Sequence, residues 1–215
     1  MLKLNLRANP YKGKLVVFEG TDGAGKTTII SMTEKYLTDR FGEGQTLCVK
    51  QPTDMSRKTK LFQKMMYCPN HDDIDYRAVQ LLTMSDRVQH SFETIEPALR
   101  EGRTVICDRY IYTSLANMLA RGYRKEKWFF DAAKHLIKPD VAFLAYVPPE
   151  TAIERIKNRP SECDRHLDEN LLHKVAVEFI NMSKREKFVV LNTVQEPETA
   201  FLAVKGKIEE TYYDR

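Results

Sequence analysis

The 215-residue sequence predicts an α/β fold, a five-stranded parallel sheet with helices on both faces. Three observations predict it. Five short, nearly continuous apolar runs rich in β-branched residues cover 15–18, 46–49, 104–107, 141–147 and 188–191. Strands buried on both faces read this way, whereas half-exposed strands alternate. Stretches with helical spacing separate the runs, which gives parallel neighbours the crossovers they need. No internal repeat or Pro/Gly-rich linker interrupts the alternation, so a single domain over 14–215 follows a short leader over 1–13.

The first run leads into Gly20-Thr21-Asp22-Gly23-Ala24-Gly25-Lys26-Thr27, followed by Thr28. These residues fit G-x-x-x-x-G-K-[ST] between a strand and a helical stretch over 26–40, the placement a phosphate-binding loop requires. Glycines let successive N–H groups turn into one concavity, and the helix N-terminus adds partial positive charge. Lys26 is placed to reach the β- and γ-phosphates of ATP, and the Thr27 hydroxyl to meet Mg²⁺. The second run ends at Lys50-Gln51-Pro52.

A long helix follows over 74–99. Ile74, Ala78, Leu81, Ser85, Val88, Phe92, Ile95 and Leu99 recur at spacings of four and three, which predicts a core-facing stripe. Tyr76, Gln80, Thr83, Arg87 and His90 lie about 100° away and form a second face able to carry a polar site. Arg100 and Gly102 close the helix.

The third run delivers Asp108-Arg109, and ligands of open parallel sheets bind at strand carboxyl ends. Asp108 suits a carboxylate near Mg²⁺; a salt bridge to Arg109 or a helix cap are its structural alternatives. The fourth run is followed by Arg155, Lys157, Arg159, Pro160 and Arg165, read as an arginine-rich lid over about 155–168. Asn192-Thr193-Val194-Gln195 follows the fifth.

Composition bounds the partners. With 34 basic and 30 acidic residues the chain is mildly basic, which suits an anionic small substrate and gives no footprint for nucleic acid. No apolar run approaches a membrane span, and 1–11 lacks the apolar stretch of a signal peptide. The four cysteines, Cys48, Cys68, Cys107 and Cys163, form no C-x-x-C pair, so reduced thiols without zinc and a cytoplasmic location are expected.

The motifs together resemble the thymidylate kinase family from about residue 14 to the end. The resemblance rests on Phe18-Glu19 with the loop, on Asp108-Arg109-Tyr110 with Thr113-Ser114-Leu115-Ala116 and Ala120-Arg121-Gly122, on Pro139-Asp140, on Val147-Pro148-Pro149-Glu150, and on Asp164-Arg165. It implies a nucleotide kinase using ATP and Mg²⁺, and a homodimer through helix 74–100. By resemblance Arg109 binds the acceptor phosphate, Asp22 the 3′-hydroxyl, Arg87 the base or phosphate, and 192–195 cradle adenine. Gly23 stands where some members carry arginine, so the catalytic arginine is expected from the lid, Arg165 first and Arg159 second. The chemistry agrees: an attacking phosphate oxygen needs no strong base, but two polyanions must be held in line among cations.

The departures fall on the acceptor pocket. Thr83 replaces a phenylalanine that stacks on thymine, Asn117 replaces the aromatic that crowds the 2′-position, and Met118 replaces a polar residue. Ser114 keeps its place, Lys50 replaces an arginine, and Phe62 or Tyr76 is a candidate replacement stack. dTMP is the expected acceptor, with another ribo- or modified nucleoside monophosphate as the alternative. A regulatory P-loop ATPase is a third reading and leaves the arginines unexplained. A nucleoside acceptor would want a carboxylate base near the second strand, where the sequence shows none.

Overall fold

The structure, a computed structural model, describes residues 3–160 and 166–213. Five parallel strands form one sheet in the order β2-β3-β1-β4-β5: β1 (Lys14–Glu19), β2 (Thr46–Lys50), β3 (Thr104–Asp108), β4 (Val141–Tyr146) and β5 (Val189–Asn192). Each coincides with a predicted apolar run to within two residues. Alternate side chains of β1 serve opposite faces. Leu15 and Val17 enter one core with Val105, Cys107 and Leu144, while Val16 and Phe18 enter another with Ile106, Phe143 and Leu191. Both sets are buried, so the runs are apolar throughout. Phe18 and Phe143 stack across the β1–β4 pair at 5.0 Å between ring centroids.

Helices α1 (Lys26–Phe41) and α10 (Pro197–Tyr213) cover the second face. The first is covered by α4 (Tyr76–His90), α5 (Glu96–Arg100), α6 (Ile111–Ala120), α7 (Lys127–Ala133) and α9 (Glu169–Glu186). The short helices α2 (Asp54–Arg57) and α3 (Lys60–Tyr67) follow β2, and α8 (Pro149–Lys157) follows β4. Near the start, Leu4 is buried, and Arg7 exchanges backbone bonds with Leu136 and Lys138.

The long helix corrects the predicted stripe. A π-turn over Ser91–Ile95 joins α4 to α5. Pro97 lies in the first turn of α5; it has no N–H to give and its ring crowds the carbonyl of Glu93, four residues back. The extra residue of the π-turn rotates the two halves of the helix against each other. Before it, Tyr76, Val79, Gln80, Thr83 and Arg87 are buried; after it, Ile95, Ala98 and Leu99 are. Ala78, Leu81, Ser85 and Phe92 of the predicted core stripe face outward, with Leu81 56% and Phe92 72% exposed. The predicted polar face is the one that packs inward.

Candidate active site

Parallel register brings the chemistry together. Phe18 pairs with Asp108 and Lys50 with Asp108, so the ends of β1, β2 and β3 lie side by side. The Arg109 N–H donates to Phe18 O at 2.9 Å, and the Gln51 N–H to Asp108 O at 3.0 Å. Arg109 has φ +68°, a strained value for a residue with a Cβ, where the chain turns from β3 toward α6.

Glu19 fixes that turn. Its fully buried carboxylate accepts from the Tyr110 N–H at 2.9 Å, the Thr113 N–H at 3.2 Å and the Thr113 hydroxyl at 2.5 Å. An acidic group at the start of α6 satisfies backbone donors the helix leaves open. Burial nevertheless pushes its pKa up to about 7, against the lowering effects of Thr113, Arg109, Tyr110 and Arg87. The sequence shows Glu19 only as part of the loop's approach.

In the loop, Gly20, Gly23 and Gly25 all have positive φ. A Cβ on Gly20 would lie 2.4 Å from Ala145 O, and one on Gly23 would lie 2.4 Å from Ala152 O. No arginine fits at Gly23 unless α8 moves. The Lys26 ammonium donates to Gly20 O at 3.1 Å and Thr21 O at 2.7 Å. Burial and, next, the charge of Arg109 push its pKa down to about 7, while Asp22, Asp108 and Glu19 oppose them. Thr27 and Thr28 are exposed at the start of α1.

Arg109 pairs with Asp22, and it donates to Gly20 O at 3.0 Å and the Thr113 hydroxyl at 3.2 Å. The acid inside the phosphate loop thus has its cation, and the alternative of an Asp108–Arg109 bridge is not the one adopted. Asp108 instead lies 3.7 Å from the Lys50 ammonium, and its Oδ1 is buried without a hydrogen bond. Such an orphaned carboxylate oxygen, with the open Thr27 hydroxyl, fits a hard cation completed by phosphate and water oxygens. No group of three or more His, Cys, Asp or Glu ligands occurs among the described residues.

Beyond this centre lies a cavity of about 350 Å³, at the lower end of the range for small-ligand pockets. Thr21, Asp22, Lys50, Thr83, Arg87, Arg109, Ser114 and Asn117 all line it, so the predicted acceptor residues converge. Arg87 is buried, not a solvated helix arginine. It donates to Thr83 O at 3.0 Å and Tyr110 O at 3.3 Å, and its Nε has no partner. Burial draws its pKa below the usual arginine value. Asn117 donates to Thr113 O at 3.0 Å and accepts from Arg121 at 2.8 Å. Met118 is buried in the core, away from the cavity.

Arg57, His71 and His166 also line the cavity and were not singled out from sequence, and Arg121, named there only within Ala120-Arg121-Gly122, lines it too. Arg121 lies 4.0 Å over the Tyr76 ring, a cation–π contact that the Ala-Arg-Gly signature did not announce. Phe62 and Tyr76, the candidate stacks, line it too. Of the lid arginines, Arg155 donates to Gly23 O at 3.4 Å and Thr193 O at 3.1 Å, while Arg159 is exposed. Arg165 lies outside the described residues. The Thr193 hydroxyl donates to Ala24 O at 2.7 Å, which ties 192–195 to the loop.

A family model for thymidylate kinase matches residues 18–202. The chain belongs to the thymidylate kinase family. It is 31% identical over 203 residues to a probable thymidylate kinase of Thermococcus kodakarensis, covering 90% of this chain and 96% of that one. It is 33% identical over 192 residues to the thymidylate kinase of Lactobacillus acidophilus, covering 86% and 88%. The crystal structure of thymidylate kinase from Ehrlichia chaffeensis superposes with a TM-score of 0.66 at 20% identity, over 92% of this chain and 98% of that one. That likeness shows the fold. The chain is a nucleoside monophosphate kinase by family, and no helix among the described residues is long and apolar enough to cross a membrane.

Proposed function

We propose that the chain transfers the γ-phosphate of ATP to a nucleoside monophosphate, dTMP in the first place. The observation that carries this reading is the Arg109–Asp22 pair, which joins the phosphate loop to the cavity. The donor's phosphates sit in the loop over 20–28, with Lys26 turning from the Gly20 and Thr21 carbonyls to them. The acceptor lies in the cavity with its phosphate toward Arg109 and its base toward Arg87, Thr83 and Ser114. Its phosphate oxygen attacks the γ-phosphorus in line and ADP leaves, so the protein's part is positioning and neutralisation. Asp108 and Thr27 hold Mg²⁺, which screens the phosphate charge when bound.

One kinase domain over 14–215 behind the leader 1–13 completes this reading, with a lid over 155–168 in which Arg165 or Arg159 meets the transferring group. The exposed apolar face of α4 and the π-turn, with Leu81 and Phe92, pairs with a second copy. The enzyme works in the cytoplasm. ADP release with ATP, Mg²⁺ and each nucleoside and nucleotide in turn tests the assignment, with dTMP expected to be turned over. A second acceptor, ribo- or base-modified, is favoured by Thr83, which offers no ring to stack on a base, and by Asn117, whose amide is engaged with its own helix and Arg121.

A further inference from the structure

We propose that the guanidinium of Arg121 is the plane on which the acceptor's base stacks, with the Tyr76 ring behind it. This assignment rests on the phosphotransfer reading above and deepens it, since it supplies a contact that Thr83 cannot make. The Thr83 hydroxyl turns back to Gln80 O at 3.3 Å, and the side chain has no ring to offer. Phe62 and Tyr76, the rings nearest to hand in the cavity, each carry an arginine. The guanidinium carbon of Arg57 lies 5.8 Å from the centre of Phe62, and that of Arg121 lies 4.0 Å from the centre of Tyr76.

Arg121 is the closer of the two and is held on two sides. Tyr76, at the start of α4, is 7% exposed, so its ring is a fixed floor. Arg121 follows the last residue of α6, and its Nη1 donates to Asn117 Oδ1 at 2.8 Å and Asn117 O at 3.4 Å. The ring and these hydrogen bonds set the plane of the guanidinium. Its Nε and Nη2 have no hydrogen bond, and the side chain no ion pair, among the described residues. An arginine that lines a cavity with one face covered and no acid to pair with keeps its other face for a ligand. Guanidinium planes stack on bases much as aromatic rings do, and the positive charge adds attraction to the base's π-face.

Its place along the cavity makes the base, rather than the phosphate, its partner. Arg109 donates to the Thr113 hydroxyl, Asn117 donates to Thr113 O one turn further along α6, and Arg121 reaches back to Asn117 from one turn beyond. With about 5.4 Å per helical turn, the guanidinium of Arg121 sits roughly one turn or more from the phosphate centre, the separation a sugar puts between phosphate and base. The electrostatics agree. Burial raises the pKa of the Tyr76 phenol, and the charge of Arg121 is the largest influence against it. At Lys26, after burial, the charges that act are those of Arg109, Asp22, Asp108 and Glu19. A base has two faces; Arg121 takes one, and Thr83 leaves the other without a ring.

Titration calorimetry with dTMP and with 2-deoxyribose 5-phosphate, which has a hydroxyl in place of the base, separates a base contact from a phosphate contact. For Arg121→Ala, dTMP binding should weaken by roughly ten- to a hundredfold, the loss expected for a stacked base. Binding of the sugar phosphate should stay within about twofold of wild type. Arg121→Lys keeps the charge and a donor for Asn117 Oδ1 but has no plane, so it should show the same base-selective loss. Should Arg121→Ala fail to fold, Arg121→Lys carries the comparison. Equal losses for dTMP and the sugar phosphate, no loss for either, or full dTMP binding by Arg121→Lys would overturn the assignment. If the wild-type protein uses a different monophosphate, the same comparison runs with that nucleotide and its sugar phosphate. A wild type that transfers phosphate to no monophosphate removes the parent reading and this one together. An active wild type with an unaffected Arg121→Ala variant removes this one alone.

Discussion

Arg109 and Asp22 form an ion pair across the mouth of the phosphate loop, Arg109 from the end of β3 and Asp22 from within the loop. The arginine side chain is 11% exposed and the aspartate 32%. On the proposed reading, Arg109→Ala removes the cation that faces both nucleotides. It should lower kcat/KM for the acceptor by roughly a hundred- to a thousandfold, as loss of a preorganised charge does. Because the Asp22–Arg109 ion pair is lost from a half-open site, stability should fall by about 1–3 kcal/mol, between exposed and fully buried pairs. Steady-state kinetics at saturating ATP and urea unfolding measure the two effects separately. Arg109→Lys should recover stability better than activity, since an ammonium cannot span Gly20 O, Thr113 and Asp22 together.

Lys26 and Glu19 set opposite pH slopes. The folded pKa of Lys26 is down at about 7 against an ordinary 10.5. Between those values the unfolded chain binds more protons, so this contribution makes stability rise with pH. The folded pKa of Glu19 is up at about 7 against 4.5. There the folded chain binds more protons, and its contribution is lost as pH rises through that window. Lys26→Met should abolish phosphoryl transfer, keep the fold and flatten the alkaline rise in thermal stability. Bound triphosphate restores the ammonium, so ATP binding to wild type at pH 8 should take up protons. Binding heats in buffers of different ionisation enthalpy reveal that uptake, and Lys26→Met should lack it. A variant with near-wild-type turnover would sink the phosphate-loop reading.

The strands and the loop were legible because each is written locally: β-branched runs buried on two faces, then glycines where only glycine fits. The convergence of Asp22, Arg109, Arg87 and Ser114 on one cavity followed from strand order and the resemblance. The facing of the long helix was not legible. Periodicity assumes an unbroken 3.6-residue turn, and Pro97 with its π-turn inserts a residue that rotates one half against the other. A stripe counted through position 92 therefore crosses from surface to core. That Arg57 and Arg121 point into the cavity was not legible for another reason. Each is a single arginine in a charged or signature segment, and only tertiary packing against Phe62 or Tyr76 gives it a direction.

The outward face of α4 and its π-turn makes a prediction of its own. Leu81 and Phe92 are large apolar side chains in solvent on one helix, an arrangement common where a second chain packs. If the face joins two copies, Phe92→Glu should shift the protein from dimer to monomer in analytical ultracentrifugation. Leu81→Lys should do the same, while secondary structure is unchanged, because neither residue belongs to the core. A wild type that sediments as a monomer at tens of micromolar removes the proposed pairing.

Base and sugar choice follow from what surrounds Thr83 and Asn117. The Thr83 hydroxyl is 3.3 Å from Gln80 O, so the side chain turns back on its own helix and offers the base no ring. A stacked aromatic is worth about 1–3 kcal/mol per base. Thr83→Phe should therefore tighten dTMP by roughly ten- to a hundredfold, provided Phe62 or Tyr76 does not already supply the stack. Tyr76 is covered on one face by Arg121, which leaves it at most one face for a base. Asn117 is smaller than a tyrosine, and its amide is bound to Thr113 O and Arg121; if it occupies the place beside the 2′-position that the resemblance implies, it leaves room there for a hydroxyl. The wild-type enzyme should then turn over dUMP or a ribonucleotide within about a hundredfold of dTMP, the modest discrimination expected where no group is built to reject a hydroxyl. Asn117→Tyr should lower kcat/KM for the ribonucleotide by about tenfold or more while leaving dTMP nearly unchanged. Competition between dTMP and its ribo analogue in one reaction, followed by separation of the diphosphates, gives both ratios directly. A wild type that rejects ribonucleotides by more than about a thousandfold would show that another side chain closes the pocket, and Arg121 is the one positioned beside Asn117 to do so.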